Sequence, residues 1–393
     1  MIFRVFILIW FSGLLFLSGQ ANTEVYLFDL TLDNGKPILS NPKNISNNEG
    51  YDNQPSFWDN NTLLFSSTRA DQTDILKFNI NKGSTSTWIS DTPLGSEYSP
   101  LKMPGKDAIS SIRLDLDGLQ LLYEYDIDSG ESKPISDLKI GYHVWYNEHV
   151  LVSSVLVEDR LDLVVTDLKN KTNRTLQKNV GRSLHKIPGT DLISFISKAN
   201  KVWEIRSINP ISGDMVSIAK TYGKEDICWL NNNLILTGNG KSLLMFETES
   251  ESGWQEIMQF SQEEINNITR IAVNPAKTRL AFVAEESPKV IVQKQLDAYN
   301  ARNIEAFMDT YSEDVKLYNF PNDLISEGKE KMKKQYNTFF ENTPDLHCQI
   351  KNRIVMGNKV IDEEFVTING SQISTVAIYE VQNGKIIKVT FID

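Results

Sequence analysis

Near the end of the chain two carboxylates, Asp362 and Glu364, stand two residues apart in the run VIDEEFVTI, and His347 precedes them by 15 residues. If that run is an extended strand, alternation places Asp362, Glu364, Val366 and Ile368 on one face. Two carboxyls directed together into an apolar pocket have raised and mutually split pKa values, which is how a general acid and a general base arise from one residue type. His347, on the preceding strand, can join them. The chemistry this predicts is proton transfer on a small apolar molecule, of isomerase, lyase or hydrolase type. The same side chains turned to solvent or to a second copy of the chain would be structural, and alternation alone leaves both readings open.

Those residues need elements to hold them. From Pro288 onward the pattern becomes helical: Val292, Leu296 and Tyr299, then Ile304, Phe307, Met308 and Tyr311, mark two amphipathic helices over 290–311 with a polar break at Asn300 to Asn303. A third helix is predicted over 328–340. Strands follow at 346–356, 359–369, 371–382 and 385–392, with turns at Gly357-Asn358 and Gly370 and a hairpin signal at Asn383-Gly384. Helices followed by a curved antiparallel sheet make an α+β cone over 288–393.

Three stretches of this region, QLDAYNARNIEAFMDTYSEDVKLYNFP, EGKEKMKKQY and VAIYEVQNGKIIKVTFI, resemble the steroid Δ-isomerase-like and SnoaL-like proteins of the nuclear-transport-factor-2 (NTF2) superfamily. The resemblance implies that the Asp362 and Glu364 face looks into the cone. It also implies a ligand cavity lined by Gln295, Tyr299, Tyr318, Asn319, Val366 and Ile378. In ketosteroid isomerases an Asp base works with a Tyr and a protonated Asp that form an oxyanion hole. At the matching positions this chain carries Asn319 for the base, Gln295 for the Tyr and Ile378 for the protonated Asp. Asn cannot take the proton and Ile donates nothing, so ketosteroid isomerisation is not expected, and His347, Asp362 and Glu364 remain the catalytic candidates.

Residues 22–287 follow a different grammar, of short β-branched and aromatic runs bounded by Asn, Asp, Gly and Ser. A local phrase recurs at Pro55, Pro100, Trp145, Lys186, Trp229 and Val273, at spacings of 45, 45, 41, 43 and 44 residues. A period in the low forties with about four strands per unit predicts a six-bladed β-propeller. The last unit lacks its outer strands, and EVYLFDLTL with DNGKPILSN at the start supplies them. NQPSF followed by LLFSSTRADQTDILKFNI resembles the repeat of TolB-like propellers, with Ser67, Arg69, Asp74 and Ile75 in place. That resemblance implies a protein-interaction platform. His143, His149 and His185 have no metal-ligand spacing and are expected as satisfied strand residues. Asp115, Asp117, Asp126 and Asp128 lack the full calcium-loop pattern and suit turns. No metal and no cofactor is expected.

Residues 1–21 combine Arg4, an apolar run from Val5 to Leu17 and small residues at Gly19 and Ala21. This is the pattern of a secretory signal peptide cleaved after Ala21, which predicts a periplasmic or secreted protein. The 2 cysteines, Cys228 and Cys348, fall in different domains and are expected free and buried. With 40 basic residues against 51 acidic, a net charge of −11, nucleic acid is excluded as a partner. The reading is an exported protein with a protein partner on the propeller and a small apolar molecule in the cone. A homodimer through the cone sheet completes the expectation.

Overall fold

The computed structural model of the protein describes residues 22–392 apart from 49, 71, 82–84 and 263. The apolar segment read as a signal peptide lies outside the described residues. Among those described, no helix is long and apolar enough to cross a membrane.

Residues 22–285 form six antiparallel four-stranded sheets. Five are plain meanders whose first strands are Asn53–Phe57, Gly95–Lys102, Ile140–Trp145, Val180–Lys186 and Ile227–Trp229. The sixth starts from Asn266–Val273 and Arg279–Glu285, and its other two strands come from the beginning of the chain, Thr23–Asp33 and Lys36–Asn44. Val25 faces Val283 and Leu27 faces Ala281 in that pairing. The strands supplied by the start of the sequence are therefore found where the incomplete last unit requires them.

A lone sheet of this size leaves both faces wet, so each must be covered by neighbours. The apolar contacts separate into six clusters, one between each sheet and the next. Leu64 and Ile75 of the first sheet meet Ile109 and Tyr125 of the second. Leu151 and Val164 of the third meet Ile112 and Leu122 of the second, and Val152 and Leu163 meet Ile193 and Phe195 of the fourth. Ile196 and Ile205 then meet Trp229 and Ile235, and Leu236 and Met245 meet Phe28 and Phe282. The sixth sheet packs on the first through Val25, Val283, Leu63 and Phe65. One bond repeats with the period: the Trp145 indole donates to Ser110 Oγ and the Trp229 indole to Ser194 Oγ, both at 2.8 Å and both between adjacent sheets.

Residues 288–392 fold as three helices on a curved sheet. Helix α1 (Pro288–Asn300) begins at Ser287, whose hydroxyl accepts from Lys289 N, with Pro288 at the first helical position, where its missing N–H costs nothing. Helix α2 (Ile304–Asp309) is capped by Asn303, and α3 (Lys329–Asn342) buries Met332 and Phe340. The strands are β1 (Tyr311–Asn319), β2 (Asp323–Glu327), β3 (His347–Met356), β4 (Lys359–Ile368), β5 (Ser371–Gln382) and β6 (Lys385–Ile392). They lie in the order β2-β1-β6-β5-β4-β3, with β1 and β6 parallel and the rest antiparallel. Helical periodicity had extended to Tyr311, which instead starts β1 and points into the core, 2% exposed. The domain core joins Val292, Phe307, Tyr311, Val315, Val360, Tyr379 and Val389 from helices and sheet alike.

Candidate functional site

Strand β4 alternates as the sequence predicts: Val360, Asp362, Glu364 and Val366 are buried toward the helices, at 0%, 1%, 6% and 5% exposure. Its neighbour β3 carries an irregularity between Ile350 and Asn352, so that Arg353 rather than Asn352 comes opposite Asp362. The guanidinium then grips the carboxylate with two bonds, Nε to Oδ1 at 2.7 Å and Nη2 to Oδ2 at 2.6 Å, and its Nη1 donates to Gln293 Oε1 of α1 at 2.8 Å. A paired geometry of this kind occupies both oxygens of Asp362. The partner that occupies it, Arg353, was missed at the sequence level.

Glu364 has different company. Tyr379 of β5 donates to its Oε1 at 2.8 Å, and the Cys348 thiol also bonds to it. Burial is the main cause that pushes the Glu364 carboxyl up, to about 7, with the nearby charge of Asp362 adding to it and Tyr379 and Arg353 opposing. Burial, and then the charges of Glu364 and Asp362, push the Cys348 thiol up as well. Cys348 is placed by Asn300 at the end of α1, whose side chain donates to Cys348 O at 2.9 Å and accepts from Cys348 N at 2.7 Å. Both cysteines are free and buried.

The remaining sequence candidates divide. Gln295 is buried on α1 and its side chain bonds to the Tyr311 hydroxyl. Tyr299 packs in an aromatic layer with Phe307 and Phe340, ring centroids 5.9 and 5.6 Å away, and Val366 belongs to the same core. Four candidates fall elsewhere. Ile378 lies on the opposite face of β5 from Ala377 and Tyr379, half-buried, so the cavity role assigned to it by motif alignment belongs to its neighbours. Tyr318 likewise turns to the outer face of β1, where the Lys388 ammonium sits 5.4 Å from its ring centroid, while Leu317 points inward. His347 is exposed at the start of β3, on the face opposite Cys348, and is not brought to the carboxylates. Asn319 ends β1 in an exposed position opposite Asp323.

An open cleft of about 350 Å³ lies between α3 and the sheet, walled by Tyr299, Leu317, Ile325, Tyr336, Phe339 and Phe391, with Ser326 and Gln335 as its polar members. Ser326 is 1% exposed and its hydroxyl has no hydrogen-bond partner. Glu364 is not in this wall. Tyr336 is, and burial followed by the charge of Glu364 pushes its hydroxyl above the ordinary range, so the carboxyl lies close behind the aromatic side of the cleft. Phe307 stacks on Tyr336 with centroids 4.7 Å apart and fills the interior. The cone is thus an aromatic-lined cleft with one unpaired hydroxyl, backed by a carboxyl that titrates near neutrality. Tyr336, Phe339 and Ser326 were not singled out in the sequence. The spacing of Met332, Tyr336, Phe339 and Phe340 on α3 is the signal that could have found two of them.

Comparison with known proteins agrees with this domain. Residues 292–389 match the family model of the SnoaL-like domain. No curated protein matches. Among solved structures, an uncharacterised cystatin-fold protein from Novosphingobium aromaticivorans is 27% identical, over 27% of this chain and 98% of its own, with a TM-score of 0.26. A putative ketosteroid isomerase from Kribbella flavida is 22% identical over 27% of this chain and 76% of its own, with a TM-score of 0.24. An LEH-like epoxide hydrolase of M. tuberculosis is 16% identical over 27% of this chain and 80% of its own, with a TM-score of 0.25.

Proposed function

We propose that the SnoaL-like domain is a receptor for a small, predominantly apolar molecule seated in the cleft of Tyr299, Tyr336, Phe339 and Phe391. The observation that carries this reading is the buried Ser326 hydroxyl, unpartnered in an otherwise aromatic and aliphatic wall. Ligand pockets combine an apolar lining with a few placed polar groups, and an unpaired buried hydroxyl is costly unless something pairs it. Binding rather than turnover is favoured because Asp362 is held by Arg353 and Glu364 stands behind the rings. Titration with 2-naphthol, followed by its fluorescence, tests this. Ile325→Trp should block the cleft and Ser326→Ala should weaken binding several-fold. Binding unchanged by Ile325→Trp would overturn the reading.

A second reading, acid–base catalysis in the cone, rests on the Glu364 carboxyl raised to about 7. It requires a turnover that disappears in Glu364→Gln while 2-naphthol affinity is kept.

We further propose that residues 22–287 are a six-bladed propeller serving as a protein-interaction platform in an exported protein. The succession of six inter-sheet cores, with the sixth sheet on the first, supports the ring. Cell fractionation and N-terminal sequencing of the mature protein test the export. The outer face of the cone sheet, with Ile361, Ile378 and Tyr318 half-buried, is where two copies would pair, which sedimentation checks.

A further inference from the structure

Away from the cone, the first strands of all six sheets converge on one small pocket of about 100 Å³, with Gln54, Ser99, His143, Arg182, Asp226 and Arg270 among its walls. Its charges do not balance. Asp226, 7% exposed, receives Arg182 through Nε at 3.0 Å and Nη2 at 2.6 Å. A second guanidinium, that of Arg270, lies 3.7 Å from the same carboxylate and 5.1 Å from the Tyr142 ring centroid, with only 14% of its side chain exposed. The neighbouring Glu225 also acts on Arg182, but its charge is matched by Lys198, so the count is unchanged. Two guanidiniums on one buried carboxylate, that of Arg270 largely buried and that of Arg182 about one-third exposed, leave one positive charge in excess, and at Arg270 an uncompensated charge is expensive.

The same pocket holds an unused donor. The Trp145 indole can only donate, so Ser110 Oγ accepts from it at 2.8 Å. The serine hydrogen then goes to the nearer of two acceptors, His143 Nε2 at 2.7 Å rather than Leu101 O at 3.4 Å. This fixes the proton of the neutral ring on Nδ1, and Nδ1 has no partner in a side chain 4% exposed. The expectation of a satisfied strand histidine thus fails at His143. Three residues of the wall, Gln54, Ser99 and Arg270, also hold left-handed φ values of 57°, 54° and 51°. Such strain persists only where the surroundings enforce it.

We infer that this pocket binds a small monoanion, a carboxylate with few carbon atoms, whose charge meets the surplus of Arg270 and whose oxygen accepts from His143 Nδ1–H. The volume of about 100 Å³ suits a body of this size, and Asp226, already held by both arginines, stands as the permanent counterion rather than a competitor. The site is independent of the cleft in the cone.

The test uses the full chain with ¹⁵N-labelled histidine; with only 4 histidines in the sequence, the His143 ring signals can be assigned. Acetate at low chloride should shift the His143 resonances saturably, and acetamide, of the same shape but neutral, should not. Arg270→Gln should weaken acetate about tenfold or more, a loss of the size expected for a buried charge partner. Equal responses to acetate and acetamide, or no saturable response to acetate, would overturn the proposal. If Arg270→Gln does not fold, the contrast between the two probes on the unaltered protein still decides.

Discussion

Between the first and second sheets, Asp74 and Glu97 repeat the arrangement of Asp362 and Glu364 in the cone. Both members are fully buried there. An arginine holds the aspartate, Arg69 Nε to Asp74 Oδ2 at 2.9 Å, as Arg353 holds Asp362. A tyrosine donates to the glutamate, Tyr125 to Glu97 Oε1 at 2.9 Å, as Tyr379 does to Glu364. Burial, in each case the main cause, raises the glutamate to about 7. Burial works upward on Asp74 too, but hydrogen bonds from Gln72, Arg69 and Ser90 hold it below its ordinary value. The pair between the sheets is bridged internally, with Ser90 Oγ 2.8 Å from Asp74 and 3.0 Å from Glu97, beside the apolar core of the two sheets. The pair in the cone lies behind the wall of an open cleft. A carboxyl near neutrality beside a tyrosine is what burial produces in either place, and only access to a ligand separates a site from a strut.

The comparison breaks most sharply at the arginines. Arg353→Met should strand Asp362 without a partner in a buried position and cost about 3–5 kcal/mol in the urea unfolding of the cone. Arg69→Met should cost about 1–2 kcal/mol, because Asp74 keeps Gln72 and Ser90 as donors. Equal losses would show that the two pairs are not distinguished by their reserve of donors.

The glutamates come next. Each has a folded pKa of about 7 against an ordinary 4.5, so the folded state binds the proton more tightly than the unfolded. That contribution is complete below pH 4.5, is lost as pH rises to 7, and amounts to roughly 3 kcal/mol for each group. Glu97→Gln and Glu364→Gln should each gain about that much relative to the unaltered protein when unfolding at pH 8 is compared with pH 4.5. Of the two, only Glu364→Gln should remove any turnover in the cone, and both should keep 2-naphthol affinity. Tyr125→Phe and Tyr379→Phe should each lose about 1 kcal/mol, read as a shift in the unfolding midpoint. The smallest effect is Ser326→Ala: stability unchanged within about 0.5 kcal/mol, since no bond is lost, with 2-naphthol affinity reduced.

Much of this was legible from periodicity. The spacing of Pro55, Pro100, Trp145, Lys186, Trp229 and Val273 marks a first strand in or beside every sheet, and the strands from 23 to 44 were assigned to the last sheet because TRLAFVAEE runs into a helix. In the cone, the inward set of β4 followed from alternation. What alternation could not supply was the irregularity after Ile350, which reverses the facing of everything beyond it and brings Arg353 inside. On β5 both faces are apolar, Val376 and Ile378 on one and Ala377 and Tyr379 on the other, so the period does not choose between them, and the inward place that the resemblance implies for Ile378 falls to its neighbours. On β1 the choice was available, since Val315 and Leu317 against Lys316 already turn Tyr318 outward. The charge excess around Asp226 was invisible because Arg182, Asp226 and Arg270 come from three sheets and meet only when the sheets assemble.

The strand Thr23–Asp33 pairs with Arg279–Glu285, a partner made some 250 residues later. During synthesis the intermediate sheets can form from neighbouring segments as they emerge, whereas this first strand can pair at once only with Lys36–Asn44 and must wait with its other edge open. Loop closure over that distance places its docking late in folding. Until then the chain carries an apolar segment, VYLFDL, open to pairing with another molecule, so the rate at which synthesis delivers the last strands sets how long the newborn protein is vulnerable to aggregation.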